Sequence, residues 1–148
     1  MIRAIFDPNV FISYLLAHNP NATVARIVAA AGRERFRLLV SPSLLIETVA
    51  VTVTKPKLTS RISRVELGWL VQFLLSACEL IPELDFTPPP ISRDPKDDYL
   101  LAHAVLEGVD YLVTGDRDLL ALAAISPVKI VSPSEFARIL DDIPDGEG

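Results

Sequence analysis

The length, composition and charge of the chain exclude several classes of protein. With 148 residues, 50% of them hydrophobic and 22% charged, the chain is too apolar for disorder and long enough for one domain with a full core. One cysteine, Cys78, excludes an internal disulfide framework, and we interpret it as an unreactive residue of an apolar helix. We expect a cytoplasmic protein, because no segment is long and apolar enough for a membrane and the first residues do not resemble a signal peptide.

Charge is distributed unevenly along the chain. Residues 1–74 carry nine Lys or Arg and four Asp or Glu, whereas residues 75–148 carry five and fifteen. This asymmetry favours one surface that faces a polyanion, and solvated helix faces are the alternative explanation. The total of −5 argues against a protein that coats nucleic acid without specificity.

The first half of the chain alternates short apolar strands with helices. Pro8 suits the first turn of a helix, because no amide hydrogen bond is needed there, and Gly32 suits the end of the next helix. The β-branched residues at 49–54 favour a strand locally, but we predict that the helix opening at 41–43 continues through them. The predicted strands are 2–6, 36–40 and 79–81, and the predicted helices are 8–17, 22–31, 41–54 and 63–78.

The second half begins with a proline-rich loop at 82–95. Asp94 and Pro95 form a typical helix start, and Gly108 forms a typical helix end. The predicted elements that follow are helices at 95–107, 116–124 and 133–142 and strands at 110–114 and 128–131. The alternation of strands and helices predicts a parallel sheet covered on both faces. We expect one domain over 1–142 and a polar tail at 143–148.

Two carboxylates of the first half stand in apolar surroundings. Asp7 is the only charged residue within 4–25, and Glu47 is the only one within 38–54. Such carboxylates cost free energy unless they are paired, hydrogen-bonded or bound to a cation. The simpler explanations are that Asp7 caps the following helix and that Glu47 forms a salt bridge or is exposed.

Further acids lie at the predicted helix starts of the second half. Helical geometry places Asp97 at the centre of an apolar stripe and Asp98 at its edge, so we expect Asp97 to point inward. Asp97 could instead be the capping-box partner of Asp94. Asp116 and Asp118 follow a strand, and either could cap the next helix; we favour Asp118 as the cap.

The positions of these acids predict one shared site. In an open α/β sheet, side chains that follow the strands gather at the carboxyl edge, where ligands bind. Oxygen donors without a histidine or cysteine partner favour Mg²⁺ or Mn²⁺. His18 and His103 have no ligand spacing to the acids, and His103 falls on the outer face of its helix, which argues against zinc.

A carboxylate cage around a divalent ion suits the hydrolysis of phosphodiester bonds. The basic part of the first half could then hold the phosphate backbone. The candidate contacts are Arg33, Arg35, Lys55 and Lys57.

Four short motifs, in this order, resemble the PIN domain family. The likeness is greatest to the toxin components of bacterial and archaeal toxin–antitoxin pairs, which are called VapC-like, and it covers about residues 2–140. The motifs are FDPNV at 6–10, SPSLLIE at 41–47, RDPKDD at 93–98 and VTGDRDLL at 113–120.

The resemblance implies a three-layer α/β/α fold with a central, mostly parallel sheet and a ribonuclease that depends on Mg²⁺ or Mn²⁺. It also implies an RNA substrate, an antitoxin protein that blocks the site, and a homodimer. By motif position, the family's catalytic and metal-binding acids are Asp7, Glu47, Asp97 and Asp116. Asn9 matches a residue that supports the first acid, and Thr114 and Asp118 are expected to support the same site.

Pro8 departs from the family pattern, which has threonine or serine at this position. A supporting hydroxyl group and an amide donor are therefore missing there, which favours an alternative: a catalytically impaired PIN scaffold that binds RNA or protein. A phosphatase of the haloacid-dehalogenase type would need an acid where Asn9 stands. A receiver-type signalling module would need paired acids near Asp7.

Overall fold

A six-stranded sheet lies at the centre of the computed structural model, which describes residues 1–144. Its strands are β1 (Arg3–Phe6), β2 (Arg37–Val40), β3 (Glu79–Leu80), β4 (Tyr111–Val113), β5 (Ala124–Ile125) and β6 (Val128–Val131). The spatial order is β3-β2-β1-β4-β6-β5. Every neighbouring pair is parallel except β5 and β6, which are antiparallel. The predicted α/β class with a mostly parallel sheet is confirmed.

Eight helices within the described residues connect the strands. They are α1 (Pro8–Ala17), α2 (Thr23–Gly32), α3 (Pro42–Thr54), α4 (Pro56–Thr59), α5 (Arg64–Ala77), α6 (Pro95–Glu107), α7 (Arg117–Leu122) and α8 (Pro133–Asp141). The helix α3 does continue through its β-branched residues. Its interior threonines Thr48 and Thr52 donate hydroxyl hydrogen bonds to the carbonyl oxygens four residues earlier, at 2.9 and 2.7 Å.

The central strands are apolar because helices cover both of their faces. Ala4, Ile5 and Phe6 of β1 are each at most 1% exposed. Phe6 packs against Phe36 and Phe136 with ring centroids 5.7 Å away in both cases, which joins β1 to α8. This packing fixes the position of the carboxyl end of β1, and therefore also the position of Asp7, which follows the strand directly.

Two predictions for the segment after β4 are wrong. The helix expected to reach residue 124 ends at Leu122, because Ala123 adopts a positive φ of 61° and Ala124–Ile125 pairs with β6 instead. The cap of α7 is Asp116 and not Asp118: the Asp116 carboxylate accepts a hydrogen bond from the Asp118 amide at 2.9 Å.

Two predictions for the side chains of α6 are also wrong. His103 is only 1% exposed instead of lying on the outer face, and neither ring nitrogen has a hydrogen-bond partner within the described residues. Asp98 is buried more deeply than the half-buried Asp97. The buried arc of α6 is wider than its apolar stripe, because the loop at 81–94 packs against the helix and donates amide hydrogen bonds to Asp98.

Three further expectations concern membrane-spanning helices, Cys78 and the C-terminal tail. No helix in the part of the chain that the structure describes is long and apolar enough to span a membrane. Cys78 lies directly after α5 and is half-buried, and burial raises the pKa of its thiol to about 12. Of the tail expected at 143–148, residues 145–148 lie outside the described part, and the division into one domain and a tail stays a prediction.

Candidate functional site

Four acidic residues lie at the carboxyl edge of the sheet or at the helix starts above it. Asp7 follows β1 directly, and Asp116 follows β4 after two residues. Glu47 lies in the second turn of α3, and Asp97 lies in the first turn of α6. Because β1, β2 and β4 are parallel neighbours, the segments that leave their carboxyl ends start at the same edge.

Asp7 is the most buried of these acids, with 5% of its surface exposed. Its Oδ1 accepts a hydrogen bond from the Asn9 amide at 3.1 Å, which caps α1, and its Oδ2 accepts one from the Thr114 hydroxyl at 2.8 Å. Burial raises the pKa of Asp7, the two hydrogen bonds lower it, and the charges of Asp116 and Asp94 raise it further. Asn9 therefore supports Asp7 through its backbone amide.

Thr114 joins the acids that follow the two central strands. Its fully buried hydroxyl donates to Asp7 and accepts a hydrogen bond from the Asp116 amide at 3.0 Å. The Asp116 carboxylate in turn accepts from the Asp118 amide. Asp7 thus receives a hydroxyl hydrogen bond from the end of β4, although Pro8 offers none.

Glu47 is half-buried and lies close enough to Asp7 and Asp94 for their charges to affect its pKa. Burial is the main cause that raises its pKa; the positive charge of Lys96 lowers it, and the negative charges of Asp7 and Asp94 raise it. Lys96 is therefore a cation close to the acids, which the sequence did not single out.

Asp97 has a strongly perturbed pKa. Burial and then the repulsion of neighbouring carboxylates raise its pKa to about 6. The repelling carboxylates are, in order of effect, Asp116, Asp7, Asp94 and Glu47. The structure therefore brings the four predicted acids, together with Asp94, into one electrostatically coupled group, which we call the acidic cluster.

The adjacent acid Asp98 has the opposite environment. The amide of Ser92 is the main cause that lowers the pKa of Asp98, with further hydrogen bonds from the Ser92 hydroxyl and the Ile91 amide. Asp98 accordingly faces the preceding loop, whereas Asp97 faces the acidic cluster. The two consecutive carboxylates therefore have opposite pKa shifts, raised for Asp97 and lowered for Asp98.

Asp94 is a member of the acidic cluster that sequence reasoning treated only as a helix cap. It does cap α6, since its Oδ1 accepts from the Lys96 amide at 2.9 Å. Its charge also raises the pKa of Asp7, Glu47 and Asp97. The signal available in the sequence was the spacing of Asp94 and Asp97, because residues three apart at a helix start lie on the same side.

The chemistry of the acidic cluster fits a hard divalent cation. Its donors are carboxylate oxygens only, and a cation would relieve the repulsion that helps to raise the pKa values of Asp7, Glu47 and Asp97. Within residues 1–144, no three acidic, histidine or cysteine side chains are arranged closely enough to hold a metal ion as they stand. The fit therefore rests on the donor set and on its mutual repulsion.

The basic residues proposed to contact substrate lie away from the acidic cluster. Arg33 and Arg35 precede the start of β2 and so lie at the amino edge of the sheet, opposite to the acids. Arg35 donates hydrogen bonds to the carbonyl oxygens of Leu140 and Ile143 at 3.2 and 2.9 Å, which holds the end of α8. The exposed residues Lys55 and Lys57 come eight and ten residues after Glu47, just beyond the end of α3. At about 1.5 Å per helical residue, this places them roughly two turns away from Glu47 along the helix axis.

Comparison with known proteins adds two findings. A sequence model described as a PIN domain matches residues 3–118, a span that contains the whole acidic cluster. The uncharacterized protein MJ1680 of Methanocaldococcus jannaschii is 28% identical over 145 residues, which covers 91% of this chain and 89% of that protein.

Proposed function

Because the chain belongs to the PIN domain family, whose members are generally nucleases and typically use divalent metal ions, we propose that it is a Mg²⁺- or Mn²⁺-dependent endoribonuclease. One observation carries this proposal: at the carboxyl edge of the sheet, burial together with repulsion among acids from four separate segments raises the pKa of Asp97 to about 6. Strongly perturbed carboxylates at such an edge are typical of catalytic sites.

We assign the metal to Asp7, Glu47, Asp97 and Asp116. When bound, the ion would supply an activated water molecule and would stabilise negative charge on the phosphate. One side chain and one backbone group of this chain orient the donors: the Thr114 hydroxyl directs Asp7, and the backbone amide of Asp118 directs Asp116. These hydrogen bonds reduce the freedom of the two carboxylates before an ion or a substrate binds.

We propose that exposed cations beside the acids contact the phosphates of the RNA, and that the basic residues at the amino edge of the sheet do not. Lys96 is near enough to Glu47 to lower its pKa. Arg93 and Arg117 are exposed and flank the cluster in sequence, next to Asp94 and Asp116. Side chains of this kind position a nucleic acid through its phosphates without reading its bases.

Cleavage of RNA by the full-length purified chain tests the proposal. We expect labelled single-stranded RNA to be cut with Mg²⁺ or Mn²⁺, and cleavage to stop with a chelator or with Asp97→Asn. The matched control is Asp141→Asn, which neutralises an exposed acid of α8 that pairs with Arg26 of α2. This variant should cut RNA at the wild-type rate. Absence of cleavage by the wild type with either ion would favour the impaired scaffold, and a wild-type rate for Asp97→Asn would refute the assigned site.

We further propose that the chain is the toxin of a toxin–antitoxin pair and forms a homodimer. An apolar groove of about 570 Å³ between α1, α2 and α5 supports a protein partner, since Trp69 on its wall is 71% exposed. A small, overlapping upstream reading frame for a DNA-binding protein would support the pairing. Its absence, together with a monomer in sedimentation, would contradict both statements.

A further inference from the structure

We propose that Asp98 is a positioning residue of this site: its carboxylate anchors the end of the loop at 81–94 to α6 and thereby fixes Asp97 and Asp94. The inference rests on the proposed ribonuclease function, which it extends to a residue outside the assigned metal ligands. Asp98 does not act on substrate in this proposal. It acts through the backbone that carries its neighbours.

The anchor consists of three hydrogen bonds to one oxygen atom. Asp98 is 7% exposed, and its Oδ1 lies 3.0 Å from the Ile91 amide, 2.7 Å from the Ser92 amide and 2.9 Å from the Ser92 hydroxyl. Charge-assisted hydrogen bonds of this kind are stronger than neutral ones. A buried carboxylate that converges on two consecutive residues holds that part of the loop in one place.

The same network reaches the residues that face the acidic cluster. The carbonyl oxygen of Asp94 accepts from the amides of Asp97 at 3.0 Å and Asp98 at 3.2 Å. The Ser92 hydroxyl also lies 2.7 Å from that carbonyl oxygen, so its single proton can serve either acceptor. Loss of the Asp98 carboxylate would therefore loosen the first turn of α6, which carries Asp94 and Asp97.

The other end of the loop is attached to the helix that carries Glu47. The carboxylate of Glu83 accepts a hydrogen bond from the amide of Ser43, in the first turn of α3. The loop is thus fastened to the starts of both α3 and α6. Because these two helices carry Glu47 and Asp97, the loop links two of the assigned metal ligands, and Asp98 is its attachment on the side of α6.

The test compares Asp98→Ala and Asp98→Asn in the full chain. Without RNA, Mn²⁺ binding is measured from the rise in melting temperature during a titration; with RNA, kcat and KM are measured separately. We expect Asp98→Ala to weaken Mn²⁺ binding and to lower kcat by about 10–100-fold with little change in KM. Asp98→Asn should recover most of both, because its Oδ1 can still accept from the loop amides.

A matched control removes a similar carboxylate contact far from the site. Asp110 accepts a hydrogen bond from the Arg3 amide at 2.9 Å, at the amino edge of the sheet. Asp110→Ala should leave Mn²⁺ binding and kcat unchanged, even if it lowers the melting temperature. Wild-type Mn²⁺ binding and kcat in Asp98→Ala, or equal losses in Asp98→Ala and Asp110→Ala, would overturn the proposal.

Hydrogen exchange of the wild type tests the anchor independently of activity. The amides of Ile91 and Ser92 should be protected, and rapid exchange of both would overturn the proposal even if Asp98→Ala failed to fold. A wild type that neither binds Mn²⁺ nor cuts RNA would refute the ribonuclease assignment. Protected loop amides in that case would show that the anchor exists without the site, so the two failures can be told apart.

Discussion

Thr114 connects two of the assigned acids through one hydroxyl group. A hydroxyl has one proton to donate, which goes to Asp7, and lone pairs to accept with, which receive the Asp116 amide. In this arrangement both carboxylate oxygens of Asp7 act as acceptors, Oδ1 for the Asn9 amide and Oδ2 for the Thr114 hydroxyl. This arrangement also explains how the site can dispense with a hydroxyl at Pro8.

We predict that Thr114→Val destabilises the fold and slows cleavage. The variant keeps the shape of the side chain but leaves a buried oxygen of Asp7 without its donor, which costs about 1–3 kcal/mol. Loss of this orienting contact should reduce cleavage by about 10–100-fold. Urea denaturation and single-turnover cleavage measure the two effects. Thr114→Ser should resemble the wild type, and a Val variant with a normal cleavage rate would contradict the role of the hydroxyl.

Several helix starts of this protein carry acids that have two tasks. Asp7, Asp94 and Asp116 each accept a backbone amide as the cap of α1, α6 and α7, and each belongs to the acidic cluster. The partial positive charge of a helix N-terminus stabilises a carboxylate there. The helix starts therefore offset part of the repulsion that gathering these carboxylates creates.

Variants of Asp94 should separate these two tasks. We predict that Asp94→Asn is at least as stable as the wild type, because asparagine is an equally good cap and one repelling charge is removed, but that it weakens Mn²⁺ binding. Asp94→Ala should weaken binding similarly and should also lose about 1 kcal/mol of stability with the cap. Denaturation and Mn²⁺ titrations measure the difference. Equal stability of the two variants would mean that the cap contributes nothing, and unchanged Mn²⁺ binding in both would exclude Asp94 from the cluster.

The elements that the sequence predicted well are those with local start and stop signals. Pro8 opens α1, and α6 is bounded by Asp94 and by Gly108, whose φ is 63°. The elements that it missed are the short ones, α4 and β5. A strand of two residues has little propensity of its own and forms because β6 offers it backbone partners.

The whole molecule brings together charges that are far apart in sequence. Asp97 interacts with carboxylates as distant along the chain as Asp7. Folding without a cation must therefore overcome repulsion that the unfolded chain does not have. Such a site lowers stability at neutral pH, and binding of a divalent ion to the folded state should restore it.

We predict that Asp97→Asn raises the melting temperature of the metal-free protein at neutral pH. The pKa of Asp97 is about 6 in the folded state, above its ordinary value of 3.8, so the folded state binds the proton more tightly. The stability from this group is complete below the ordinary value and is lost as pH rises through 6. The neutral asparagine avoids that loss, and each kcal/mol of repulsion removed is worth about 2–4 °C.

Calorimetry with a chelator between acidic and mildly alkaline pH measures this effect. The difference between Asp97→Asn and the wild type should be small near pH 4, should grow as the pH rises from there to about 6, and should then level off. Asp141→Asn serves again as the control, because its carboxylate pairs with Arg26 outside the cluster. A difference that does not change with pH would contradict the repulsion at Asp97.

The sequence alone determined the α/β alternation, the boundaries of most helices and the acids worth suspecting, because caps, prolines and apolar periodicity act between near neighbours. The tertiary structure decided which of Asp97 and Asp98 faces the cluster, that His103 is buried and that Arg35 holds α8. These outcomes depend on the loop at 81–94 and on other segments that pack from a distance. Periodicity within one helix gives no information about such neighbours, and for that reason only the folded chain could assign these side chains.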